Sequence, residues 1–466
     1  MKSTGRPIIP REQLKVVDMT VPTRLLFHAK LDSAASWYVL GLLTLSYSLA
    51  YVDRQLLNLL VDPIKRTLLI SDTQLSLIQG TAFVSAYLIA APVFGRLADI
   101  TNRRNILIFG ICLWCTFTAL CGHANTYLEL FAARFGVGAS EACVFPVCCS
   151  LIWDYFSTSK APRAISVFNA GQFIGAGFSL VASGLVLYFA DSIRRSIPLL
   201  QDFATWQIAF VLVGLTGVVL AAILLTVREP ARSVTVKNSA DGRRFTFSEG
   251  LSYIWKRRAF YGRMYLGIGM HSIVTLGTPA WLPSFLIRCR GVAPSVVGYR
   301  LGLIAVIVGT SGVLLGPFVV RFFERRRIPD AALRVAGFSE VSVFISCVSI
   351  PFAPGATGVF IAAGVAIFFF SFPVSIFAAA TQLSTPSRLR GFVASLHTFL
   401  AQSIGFGVGP TAIAILTDKV FKDPQMVGYS LAIVSGVASA LAACLFFSAL
   451  PHFRGMLRER DVNIIE

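Results

Sequence analysis

The stretch Gly95–Arg104 reads GRLADITNRR. It separates two apolar runs, residues 76–98 and 104–122. Each is about the ~20 residues that a helix needs to cross a hydrocarbon layer roughly 30 Å thick. A turn this short leaves no room for a domain boundary. With Asp99 inside it and Arg103 and Arg104 just beyond, it reads as a membrane-edge turn. Charge and dipole contacts from those three side chains can pin neighbouring helix ends.

Working outward in both directions, ten more runs of the same kind appear: 37–60, 127–152, 164–190, 206–227, 262–287, 299–320, 332–351, 356–382, 391–417 and 427–450. They are long, continuous and rich in Leu, Ala, Val, Phe and Gly, whereas barrel strands are short and alternate. The composition agrees. The 466 residues are 55% hydrophobic and 14% charged, against the ~25% charged of an ordinary soluble chain, and the mean hydropathy is +0.71. The expected fold is therefore an all-α membrane protein of twelve transmembrane helices in two six-helix bundles. The longest charged break divides them. This gives an N-terminal tail (1–34), a first bundle (35–227), a central loop (228–261), a second bundle (262–450) and a C-terminal tail (451–466). Within the central loop FSEGLSYIWKRRAF is amphipathic and suits the inner membrane surface.

The net charge of +18 is a topology signal rather than a nucleic-acid footprint. Of the 41 Lys and Arg, thirty fall in the two tails and in the loops after the even-numbered spans, and nine in the opposite loops. The positive-inside rule then puts both termini in the cytoplasm, with added attraction to anionic lipid heads. No cleavable signal is evident in residues 1–34. Two arginines, Arg54 and Arg134, are left stranded inside spans. The nine cysteines are scattered mostly within spans, which argues against a disulfide framework. Cys112 and Cys115 form a CxxC inside a helix and read as small packing residues. There is no HExxH, no GxSxG and no phosphate-binding Gly-Lys loop, so neither an enzyme nor an ATP-driven pump is expected. Nothing resembles the selectivity filter of a channel.

Residue by residue, GRLADITNRR matches the G-x-L-A-D-x-x-x-R-[RK] signature that follows the second helix of the major facilitator superfamily. Tyr51-Val52-Asp53-Arg54, Arg134-Phe-Gly-Val-Gly-Ala-Ser-Glu141, Arg228-Glu229-Pro230 and Arg390-Gly391 resemble its Spinster branch, the sphingolipid and lysolipid transporter relatives. The resemblance covers most of residues 37–450. It implies a secondary transporter working by alternating access, with Gly95, Asp99, Arg103 and Arg104 latching the two halves. Two departures stand out. Gln207 follows Trp206 where many relatives carry Arg, and the second-half counterpart GPFVVRFFERRR lacks the aspartate. Repeated halves suit a substrate site at their interface. A non-transporting receptor or scaffold is the less favoured reading.

An ionisable side chain inside a bilayer costs at least ~2.5 kcal/mol, which makes it a functional candidate by default. The first candidates are Asp53, Arg54, Arg134 and Glu141. Arg134 and Glu141 lie seven residues apart, hence on one helix face and about 10 Å apart. Asp53 and Arg134 fall at one depth and are expected to pair, with Glu141 nearer the midplane. The expected mechanism is a proton-linked switch. Glu141 takes up a proton once its partner is lost, which frees Arg134 for a substrate head or for Asp53. His271 and His397 are secondary cavity candidates. Glu340 is expected to be a structural or interfacial charge. The phenylalanine-rich AIFFFSFPVSIF, residues 366–377, faces lipid or supplies an apolar cavity wall. The expected partners are protons, membrane lipids and a small organic or amphiphilic substrate. The alternative is a carboxylate or aromatic acid held by Arg54 and Arg134. No cofactor, metal or nucleic acid is expected. The chain is expected to act as a monomer in a bacterial inner (plasma) membrane.

Overall fold

The computed structural model describes residues 32–157, 159–198, 201–230, 247–374, 376–377, 380, 385 and 389–465, and their side chains except at 99, 190–191, 247, 390–391 and 459–465. The expectations for the N-terminal tail up to residue 31 and for central-loop residues 231–246 lie outside these. The chain forms α1 (Ala34–Leu68), α2 (Asp72–Ala98), α3 (Arg103–Cys121), α4 (Tyr127–Tyr155), α5 (Ala161–Ser196) and α6 (Thr205–Leu224). After the short α7 (Phe247–Lys256) come α8 (Arg258–Arg290), α9 (Pro294–Arg325), α10 (Ala331–Ser349), α11 (Gly355–Ser371), α12 (Arg390–Ile415) and α13 (Val427–Ile465). Ten of these helices are long and apolar enough to cross a membrane. The other two of the twelve expected spans are α11, short and apolar, and α8, whose interior carries His271, Ser272, Thr275 and Thr278. The fold is the all-α, twelve-helix arrangement in two halves.

Local signals set the helix ends. Ser33, Ser71, Asn102 and Thr126 each cap a following helix through a side-chain oxygen, and Ser71 with Gln74 completes a capping box. Gly291 ends α8 in the left-handed conformation that a side chain would strain. The structure differs from the expected continuous fourth span. α4 breaks into a turn at Ala142 and Cys143, just after Glu141. Pro146 explains the break, because it has no N–H for the carbonyl of Ala142 and its ring crowds that turn.

Side chains such as Ile89, Phe109, Tyr188, Val219 and Phe338 lie exposed on the outside, a surface suited to lipid. α7 likewise exposes Leu251 and Trp255.

The cores show how the halves meet. At the end away from both chain termini, one cluster joins Leu56, Leu60 and Trp206 of the first half to Trp281, Leu286 and Leu431 of the second. Toward the end that holds the termini, the clusters separate. One contains only first-half residues, among them Leu107, Leu151 and Phe168. The other contains only second-half residues, among them Phe260, Phe377 and Phe446. The halves thus share a core at the far end and part toward the terminal end. Tight crossings hold the shared part. A methyl group on Gly80 would run into the carbonyl of Phe406, and Gly177 of α5 faces Gly302 of α9, the close approach that small residues permit in membranes.

Candidate functional site

A cavity of about 480 Å³ lies between the halves. α1, α4 and α5 supply one wall, with Tyr47, Tyr51, Gln55, Asn169 and Gln172. α8, α9, α11 and α12 supply the other, with His271, Thr278, Phe370, His397 and Gln402. Among its described lining residues there is no Asp, Glu, Lys or Arg. Phe370 and Phe377 from the phenylalanine-rich segment line it, whereas Phe372 packs into the second-half core. That segment does supply an apolar wall.

The four stranded charges are brought together, but not on this wall. Asp53, Arg54, Arg134 and Glu141 are all nearly inaccessible, at 0–5% exposure. Arg134 Nη1 donates to Asp53 Oδ2 at 3.0 Å, the expected pair, and Thr118 Oγ1 donates to Asp53 Oδ1 at 2.8 Å. Arg54 Nε donates to Glu141 Oε1 at 2.7 Å. Here the expectation needs correcting: a proton on Glu141 would release Arg54, not Arg134. The seven-residue spacing on α4 keeps Arg134 and Glu141 two turns apart, so consecutive α1 residues each take one partner. The Arg54 guanidinium also lies 4.9 Å from the ring centres of Tyr51 and Phe83, a cation–π setting. Tyr51 and Tyr47 line the cavity, and none of the four charges does.

The two secondary candidates do face the cavity. His271 Nδ1 lies 2.5 Å from Glu340 Oε1, and Glu340 is fully buried. Glu340 is therefore not interfacial. Its helix, α10, exposes Phe338 and Ile345 on its outer face and packs its other side against α13 and α11. His397 Nδ1 is buried with no hydrogen-bond partner.

The signature turn is tied to the first half. Arg103 Nε donates to Glu229 Oε1 at 2.7 Å and its Nη1 to Asp154 Oδ2 and Ser150 Oγ at 2.5 and 3.0 Å. The Arg104 amide donates to Glu229 Oε2, and its guanidinium to the carbonyl of Val227. These contacts pin the start of α3 to the ends of α4 and α6, as the charges implied. Among the described residues, the printed partners of Arg103 and Arg104 lie in the first half and in residues 229–230 just beyond it. The Asp99 side chain lies outside the described ones. Gly95 has open space where a Cβ would sit, so packing does not require it here.

What joins the halves is at the far end, and the sequence reading missed it. Arg288, at the end of α8, donates to Asp62 at 2.7 Å and to both oxygens of Asp72 at 2.8 and 2.9 Å. Asp418, beyond α12, accepts from the Thr73 amide and hydroxyl at 2.6 and 2.7 Å. In sequence these are ordinary loop charges, and only their facing positions reveal them. The amides Gln55, Asn169, Gln172 and Gln402 were also missed. Uncharged polar residues inside apolar runs were the available signal.

Residues 43–410 match the family model described as Major Facilitator Superfamily. An "MFS-type efflux pump" of Mycolicibacterium smegmatis is 26% identical over 90% of this chain and 94% of its own length. The "Sphingosine-1-phosphate transporter SPNS2" of Danio rerio is 25% identical over 90% of this chain and 86% of its own. The crystal structure of a bacterial homologue of the human lysosomal transporter Spinster, inward-facing and unoccupied, superposes with a TM-score of 0.72 at 22% identity. It covers 91% of this chain and 98% of that one.

Proposed function

The chain belongs to the Major Facilitator Superfamily, and from that premise we propose that the cavity between its halves carries a lysolipid- or sphingolipid-like amphiphile. It is a membrane transporter of the alternating-access kind and not an enzyme. The observation that carries the substrate reading is the cavity wall. Aromatic and aliphatic side chains suit a tail, while amides, hydroxyls and two histidines suit a head. The sphingosine-1-phosphate transporter among its relatives points the same way. Recognition of an organic acid by Arg54 and Arg134 is the weaker reading, because both guanidiniums are already paired away from the cavity. A compact apolar drug is the second reading, favoured by the efflux-pump relative.

Transport is proton-linked, with Glu141 and Arg54 as the pair that a proton opens. Separate terminal-end cores and the shared far-end core support a cavity reached from the side of the termini. The sorted basic residues support reading that side as the cytoplasm. The chain works as a monomer in a bacterial plasma membrane, with the signature turn bridging to the second half only in the opposite conformation.

The test is thermal stabilisation of the purified protein by lysolipids, sphingoid bases and aromatic acids. A ligand at 100 times its Kd adds about 2.7 kcal/mol to apparent stability. Amphiphiles should raise the melting temperature. Stabilisation by aromatic acids alone would overturn the reading.

A further inference from the structure

Glu340 is a buried acid without a permanent counter-charge. It is fully inaccessible, Oε1 meets His271 Nδ1 at 2.5 Å, and Oε2 has no hydrogen-bond partner. Among the described residues no Lys or Arg pairs with it. Arg334 on the same helix and Arg454 of α13 are engaged elsewhere, holding Asp330 at the terminal end. From α12, His397 lines the cavity beside the pair, and Cys347 sits two turns along α10. α11 presents no ionisable side chain at all. Phe377 closes the remaining side, its ring 5.3 Å from that of His271.

A lone carboxylate in such surroundings needs one positive charge to remain ionised. The first half solves the same problem with two covalently attached guanidiniums. Here, among the described residues, the carrier in contact with the acid is His271, whose Nδ1 is held by Glu340. That leaves Nε2 for the cavity, which His271 lines. The positive charge at this site is therefore exchangeable. A proton on the ring would supply it, and so would another cation beside the ring.

We propose that the His271–Glu340 pair is the head-group site of the cavity and a second proton site, distinct from Glu141. It takes an ammonium head and releases a proton from His271 as the ligand binds. The exchange is balanced: one cation enters, one H⁺ leaves from imidazolium to solvent, and Glu340 stays a carboxylate throughout. The proposal rests on the reading that this cavity binds amphiphiles, and names their charge.

The experiment compares two tails of equal length, decyltrimethylammonium and 1-decanol, on the full chain in lipid nanodiscs. The quaternary ammonium carries no proton of its own, so any proton released comes from the protein. Calorimetry in buffers of different ionisation enthalpy counts it. The wild type should bind the ammonium about tenfold tighter than the alcohol and release about one proton. Glu340→Gln should erase the preference and the release while keeping alcohol binding. His271→Gln, an independent variant, leaves Glu340 to hold the proton itself, so it should weaken the ammonium preference while keeping alcohol binding. Equal affinity for the two tails in the wild type, or proton release unchanged in Glu340→Gln, would overturn the proposal and leave the amphiphile reading standing. Failure of the wild type to bind either tail would remove both.

Discussion

Replacing Arg288 with alanine should loosen the far end of the molecule selectively. Its guanidinium spans the halves with three hydrogen bonds of 2.7–2.9 Å to Asp62 and Asp72. The side chains are 9% exposed for Arg288, 0% for Asp72 and 18% for Asp62. Removing one partner of a fully buried pair costs about 3–5 kcal/mol, whereas an exposed pair contributes about 0–1 kcal/mol. This site lies between those limits, and Lys65 remains on Asp72 at 2.5 Å to soften the loss. About 2 kcal/mol is a fair figure, which shifts the equilibrium between closed and open far ends about 30-fold. In the opened state Arg288 is free in water, so the loss falls almost wholly on the closed state. Hydrogen exchange in nanodiscs reads this directly. Amides in residues 62–75 and 281–291 should exchange faster in Arg288→Ala, and to an intermediate degree in Arg288→Lys, which keeps the charge without the fork. Exchange unchanged at the far end would refute the gate. An equal rise at residues 147–157 would show general destabilisation instead of opening.

Two further outcomes follow from the charges. Glu141→Gln should abolish pH-driven uptake in proteoliposomes while leaving counterflow and folding intact, and persistence of the wild-type proton dependence would sink the coupling role. Asp330 stands just before α10, outside the span. Burial alone would lift its carboxyl, but hydrogen bonds from Arg334 and Arg454 outweigh that and hold it below the ordinary range. A lowered folded-state pKa gives stability that is full above the unfolded value, about 3.9, and is lost as pH falls through the folded one. Asp330→Asn should therefore melt below the wild type at pH 6, with the gap closing below about pH 4. A gap constant across that range would show that the carboxylate does not anchor α13 to α10.

The fold was legible because it rests on one-dimensional quantities. Apolar run length and the alternation of basic loops need no knowledge of which helix touches which. The Asp53–Arg134 pair was legible for a related reason, since depth along a helix follows from counting residues. What failed was direction around the helix axis. Counting could not say that Asp53 and Arg54, one residue apart, would divide Arg134 and Glu141 between them. Nor could it say that Tyr47 and Tyr51 would come between the four charges and the cavity. Glu340 was undervalued for the same reason. An acid on the ninth span looks peripheral until α8 is seen to place His271 against it. The far-end bridges were invisible because Asp62, Asp72 and Arg288 fall outside the expected spans, in helix ends where charge is unremarked. Only the tertiary fold sets them face to face.

The two halves handle buried charge in different ways, and the difference bears on mechanism. In the first half two acids meet two guanidiniums, so the group is neutral whether or not anything enters the cavity. Such a cluster can hold α1 to α4 through the whole transport cycle, and it changes only if a proton is forced onto Glu141. In the second half one acid meets one imidazole, and that site is neutral only while it holds a proton or a ligand cation. A carrier must make its loaded and unloaded states similar in energy within the membrane, since an uncompensated charge costs several kcal/mol there. A site whose counter-charge can be exchanged satisfies that condition in both states, whereas a site neutralised by its own arginines has no use for a charged ligand. The substrate's charge should therefore be set by His271 and Glu340, and the arginines that first drew attention should act on the switch instead of the cargo.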